Sequence, residues 1–223
     1  METQKLNITQ TIREGVQYGL KNFFPLLLMV ILYVVTVWIP YLNVGTTIGI
    51  YKAIIKVGRG ETIDPTAIFA KENFKNLHGF FLLFGLLYMG IFVASCFMFI
   101  PGIVMSIAWC FAMYFFLDKN VSPLKALQLS YDSTFGNKWR IFATELLCGI
   151  LIGIICAGLA LIPKVGPVLT VIATVVLAAV MVGVEGVMYN FFSKVADDIL
   201  ADKKECGCCK EETVAVDDVK TEA

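Results

Sequence analysis

The sequence predicts an all-α membrane protein of six transmembrane helices, built as three repeated hairpins, each preceded by an amphipathic cytoplasmic helix. Three observations carry this. The 223 residues are 58% hydrophobic and only 16% charged, whereas a soluble domain carries about a quarter charged residues; mean hydropathy is +0.77. Residues 80–100 and 165–184 hold no charged side chain, and about 20 such residues cross the roughly 30 Å of hydrocarbon in a bilayer. Ile-Pro recurs at Ile39-Pro40, Ile100-Pro101 and Ile162-Pro163, at intervals of 61 and 62 residues, each time between two apolar runs. A supersecondary unit used three times is the sequence mark of an internal repeat.

The repeats span about residues 8–57, 64–118 and 122–195 of a single transmembrane domain, 1–195. In the first, Ile8, Ile12, Val16 and Leu20 recur at a helical spacing opposite Gln10, Arg13, Glu14 and Gln17. That pattern suits an amphipathic helix lying on the membrane surface. Met1 to Asn22 carries Glu2 and Glu14 among its basic residues, and no small-residue cleavage motif follows, so residues 23–39 are expected to be a retained first span. Pro40 to Gly45 then forms a turn and the chain returns to about Ile55. Both arms are short, so the hairpin crosses with tilt or local thinning, or it is re-entrant and does not cross.

In the second repeat, Asp64-Pro65 reads as an N-cap followed by proline at the first helical position. A polar helix 66–76, a span from His78/Gly79 to Ile100, a turn at Pro101-Gly102 and a return span to Leu117 follow. The third begins at Ser122-Pro123, with a surface helix 124–134, a span 138–162, the turn Pro163 to Pro167 and a last span 168–192. The tail, 196–223, is charged, lacks apolar periodicity and is expected to be disordered. Of 18 Lys and Arg, only Lys164 falls in one of the three Pro-marked turns. Short loops rich in Lys and Arg stay cytoplasmic, so both termini and all three surface helices are expected on that side.

Part of the chain resembles a known group. Ile100-Pro101-Gly102-Ile103, the Ala126-x-x-x-Ser130 spacing in the surface helix and Gly136-x-x-Trp139 opening the next span are similar to a bacterial family of six-helix integral membrane proteins of unknown function. That family looks related to the membrane domain joined to some glycerophosphodiester phosphodiesterases. The likeness covers about residues 58–160. It implies a multi-pass protein of the bacterial inner membrane and carries no catalytic residues, because the phosphodiesterase activity resembles the work of a separate soluble domain. Glu145 stands where relatives carry an acidic residue shortly after the tryptophan. Mitochondrial carriers share a three-hairpin plan but place an acidic residue two positions after each repeat proline; here those positions are Leu42, Ile103 and Val165, which excludes that family.

Two carboxylates lie inside predicted spans. Glu145 is 18 residues before Pro163 and Glu185 is 18 after Pro167, so both sit about 27 Å from the turn, at one depth on the two arms of a hairpin. An ionisable group in a span is costly and usually faces protein or water. They are either a pair sharing a proton at a transport or gating site, or residues that snorkel or pair with Lys138. His78, the one histidine, is a pH switch or ligand, or simply an interfacial residue; alone it excludes a histidine-based metal site within one chain. Cys206-Gly207-Cys208-Cys209 supplies three thiols for a soft metal, or is a reduced tail with no role. Trp38 and Trp139 suit the aromatic belt and Trp109 packing, and Gly149 with Gly153 suits close helix approach.

Nothing in the sequence matches a phosphate loop, a Ser/His/Asp arrangement or a metalloprotease motif. Zero net formal charge gives no reason to expect nucleic acid. The expectation is therefore a non-enzyme without cofactor, organising lipid or protein partners at the cytoplasmic face; the alternative is a small transporter using Glu145 and Glu185. An intramembrane lipid enzyme would need convergent polar residues that the sequence does not provide.

Overall fold

A computed structural model describes residues 5–75, 77–162 and 165–205. The described residues contain helices and turns and no strand. The helices are α1 Ile8–Lys21, α2 Phe23–Thr36, α3 Pro40–Gly58, α4 Leu77–Phe97, α5 Phe99–Trp109, α6 Ala112–Lys119, α7 Pro123–Thr134, α8 Lys138–Ala160 and α9 Gly166–Glu205. Four stretches are long and apolar enough to cross a membrane: Leu77–Phe97, Ile100–Lys119, Lys138–Ala160 and Gly166–Ala201. A fifth exists only if α1 and α2, bent by 70° at their junction, count as one span.

Six spans were expected, and the shortfall lies in residues 8–57, expected to form the first repeat. With 14 residues, α2 is about 21 Å long, well short of the hydrocarbon thickness. Helix α3 carries Asn43, Thr46, Thr47, Lys52 and Lys56 in 19 residues and is too polar to qualify. The Pro-marked turns also differ from expectation. Pro40 opens α3 directly after an extended Ile39. Pro101 lies inside the first turn of α5, and the break falls earlier, at the extended Met98 (φ −163°, ψ 152°). Both follow from proline chemistry: the ring needs no N–H partner in a first helical turn, so it starts helices. Gly102 serves helix approach, its missing side chain leaving room for Ser95 of α4. Pro163 lies outside the described residues, as do the tail cysteines Cys206, Cys208 and Cys209.

The polar helix expected at 66–76 is two short 3-10 turns, Pro65–Phe69 and Lys71–Phe74. Asp64 caps the first as anticipated, accepting from the Thr66 N–H at 3.1 Å and its hydroxyl at 2.9 Å. These two donors hold the Asp64 carboxyl below the usual carboxylate range. What opens the helix is Asn73, buried, which donates to the carbonyls of Ala67 and Ile68 and accepts from Lys52 Nζ at 2.9 Å. Asparagine competing for backbone carbonyls is the reason it disfavours helix interiors.

The first surface helix is not peripheral. Its contact face is Thr11, Gly15 and Gly19, packed antiparallel on α9. A Cβ on Gly15 would stand 2.6 Å from Val184 Cα, and one on Gly19 2.5 Å from the Ala179 carbonyl. Close approach through small residues is the packing mode used inside membranes. The sequence suggests it for Gly149 and Gly153, yet a Cβ on either would meet no packed neighbour within 4 Å; that face of α8 is open.

The core gathers at one end of the bundle, where α6 and α9 bury Phe111, Tyr114, Phe115, Tyr189 and Phe192. Their rings lie 5.2–6.3 Å apart. Toward the other end, Phe97, Leu161, Val168 and Ile172 are exposed, a surface suited to lipid rather than water.

Candidate functional site

The site forms where the return span breaks. Between α5 and α6, at Cys110 and Phe111, the helix is interrupted. The Ala108 carbonyl beside this break is taken by α7: Ser130 Oγ donates to it at 2.8 Å and Thr134 Oγ1 at 3.4 Å. A buried carbonyl without a partner would cost about 1–3 kcal/mol. Ala126, fully buried, is small enough to let α7 approach. This gives the Ala126/Ser130 spacing a physical role. Gly136 likewise has one, with φ +81° at the turn before α8, a conformation that glycine adopts without strain. Trp139, 83% exposed, projects outward at the start of α8.

Beside the break lies a cavity of about 300 Å³, lined among others by Ser106, Cys110, Phe142, Glu145, Met181 and Glu185. The two carboxylates singled out in the sequence are thus brought together, on α8 and α9, in the lining of one cavity. Glu185 is half-buried and Glu145 is exposed. Among the described residues the lining contains no Lys, Arg or His. Lys138 does not pair with Glu145; its Nζ sits 4.1 Å above the Tyr131 ring, a cation–π contact. A second cavity of about 260 Å³, lined by Tyr51, Phe84, Tyr88, Trp109 and Met113 among others, shares Ser106 and Cys110 with the first.

Glu185 has a partner that the sequence reading missed. Tyr114 Oη donates to Glu185 Oε1 at 2.6 Å, and Tyr189 Oη donates to Asp118 Oδ2 at 2.7 Å. Helix α6 carries Tyr114 and Asp118 four residues apart, α9 carries Glu185 and Tyr189 four apart, and each tyrosine reaches the other helix's carboxylate. The rings of Tyr114 and Tyr189 stack between the two bonds at 5.2 Å. Arg59 closes the outer end, one terminal guanidinium nitrogen donating to both carboxylate oxygens of Asp118 at 2.7 Å, a charge-assisted contact. A tyrosine and a carboxylate at (i, i+4) on two apolar helices was the available signal. Tyr114→Phe is expected to remove Glu185's hydroxyl donor and lower stability in detergent by about 1–2 kcal/mol, read as a fall in the thermal midpoint.

His78 is exposed on the first turn of α4. Trp109 packs over Gly90 of α4, matching the packing role expected of it. No group of three or more His, Cys, Asp or Glu that could hold a metal occurs among the described residues. Comparison with protein-family models, with curated proteins and with solved structures finds no match to this chain.

Proposed function

We propose that this is a non-catalytic multi-pass protein of the bacterial cytoplasmic membrane, and that its working part is the Glu145–Glu185 cavity, which takes up protons or a small cation as one stage of permeation. In this reading α4 and α8 run outward, α5–α6 and α9 return, and both termini face the cytoplasm, in keeping with the bias of Lys and Arg. The second and third Pro-marked units are then two related membrane hairpins. The resemblance to the six-helix bacterial family agrees with this location and brings no activity of its own.

The observation that carries the proposal is the meeting of two carboxylates in one cavity that, among the described residues, no cationic side chain lines. Ionisable groups within apolar spans are rare and costly, and they mark ion pathways and proton relays. A broken span beside such a site supplies backbone groups and the freedom to rearrange. Expected in proteoliposomes is a proton flux in the wild type that disappears in Glu145→Gln combined with Glu185→Gln, with insertion and thermal midpoint unchanged. Equal flux in that variant, or none in either protein, would remove the carboxylates from a proton path.

A second reading, an organiser that gathers lipid or protein partners at the cytoplasmic face, is favoured by α2. Its Phe24, Leu28, Ile31 and Val35 are all exposed, with no charged residue along the helix.

A further inference from the structure

We propose that the α2–α3 hairpin does not cross the membrane but lies along one of its faces, with the outer side of α2 embedded in the acyl chains of a single leaflet. The inference rests on where the two ends of α3 are held, and it is independent of the permeation reading.

One face of the membrane can be marked from the long helices. The start of α4 is level with the end of α6, since a Cβ on Gly79 would stand 2.7 Å from the Phe116 ring. The end of α6 is level with the C-terminal part of α9, through Lys119 Nζ and Asp197 Oδ1 at 2.7 Å. All three therefore reach the same face. The C-terminal end of α3 is tied to it: Arg59, the next residue, holds Asp118 at 2.7 Å.

The N-terminal end of α3 is tied to it as well. Tyr41 stacks on Phe74, with ring centroids 5.5 Å apart and planes at 24°, and Gly45 also abuts the Phe74 ring. Phe74 is three residues before Leu77 of α4, so at most about 10 Å of chain separates it from the start of that span. The stretch on either side of Phe74 carries Lys71, Glu72 and Lys75. A crossing α3 would drag these charges, and the start of α4, to the opposite surface. A helix of 19 residues, about 28 Å long, with both ends at one face lies along the membrane and not through it.

The rest of the hairpin agrees. Helix α1 runs antiparallel along α9, a candidate span, and α2 turns 70° away from α1, which sets α2 near the membrane plane. It lies back along α3 through the Thr36–Thr46 hydroxyl contact at 3.2 Å and through Leu26 and Met29, which share a buried cluster with Ala53, Val57 and Ile68. The opposite side of α2 remains apolar and exposed and ends in Trp38, 89% exposed. An apolar helix face at the membrane surface, bounded by tryptophan, is the arrangement that binds acyl chains near the headgroups. The occupant is one leaflet's lipid, and α2 is a wedge in that leaflet alone.

The test is sidedness and depth in the full-length protein. Trp38→Cys is labelled with a membrane-impermeant maleimide in right-side-out and inverted vesicles, and each cysteine peptide is quantified by mass spectrometry. Labelling is expected from the side that also labels a cysteine placed at Asp197, beside Lys119; labelling from the other side alone overturns the proposal. In parallel, nitroxides on genetically encoded residues at positions 24, 31 and 35 report depth. Equal shallow depths are expected; a depth that increases steadily along α2 and passes the bilayer midplane means the hairpin crosses and sinks the inference.

Discussion

Gly186→Val is expected to destabilise the protein by about 3 kcal/mol or more, the upper range for forcing volume into a packed contact. At this crossing α3 and α9 touch backbone to backbone. A Cβ on Gly186 would stand 2.6 Å from the Ile54 carbonyl and 2.8 Å from the Gly58 N, and Gly58 faces Gly186 in turn. Neither neighbour is the far end of a flexible side chain, so a helix must move. Moving α3 also disturbs Arg59 and hence Asp118 and Tyr189. The thermal midpoint in detergent should fall by many degrees, with loss of the monodisperse species. Gly149→Val is the matched control: nothing lies within 4 Å of a Cβ there, so the midpoint should stay within about 0.5 kcal/mol of wild type. An unchanged midpoint for Gly186→Val would mean that the helices are not in contact.

Asn22→Leu is expected to cost a similar amount by a different mechanism. Asn22 is fully buried at the bend between α1 and α2. Its Nδ2 donates to the carbonyls of Tyr18 and Glu61, and its Oδ1 accepts from the Ile63 N–H at 3.3 Å. Leucine fills similar space but leaves the Glu61 carbonyl and the Ile63 N–H without partners. At about 1–3 kcal/mol for each orphaned buried group, about 3 kcal/mol is lost. The loop from Arg59 to Ile63 should loosen first, so cleavage by trypsin at Arg59 should accelerate before global unfolding. If that cleavage is no faster in the variant than in the wild type, Asn22 does not hold the bend.

The two residues share a lesson about the first repeat. Both act where α1, α2 and α3 are fastened to α9 and to the loop after α3, and both are small or polar positions inside apolar sequence. Hydropathy passes over such positions because it averages them with their neighbours. The Tyr114–Glu185 and Tyr189–Asp118 bonds went unread for the same reason: each residue is unremarkable on its own helix and becomes informative only when α6 and α9 are aligned side by side.

By itself the sequence determined the membrane class, the helical content and the starts of most helices, because those follow from local rules; α9, by contrast, continues to Glu205, through residues expected to be a disordered tail. Charge-poor runs of about 20 residues make spans, and proline after a capping residue starts helices at Pro65 and Pro123. It also singled out Glu145 and Glu185, since carboxylates are conspicuous in apolar surroundings. What only the tertiary structure decided is how equal-looking segments are used. Three similar Pro-marked units become two with helices long and apolar enough to cross and one with an arm too short, α2, and an arm too polar, α3. One glycine pair, Gly149/Gly153, faces nothing, while Gly15/Gly19 forms a helix contact. The physical reason is that crossing, packing and pairing depend on which surfaces meet. That is a property of helices set against one another across long stretches of chain, and no local window contains it.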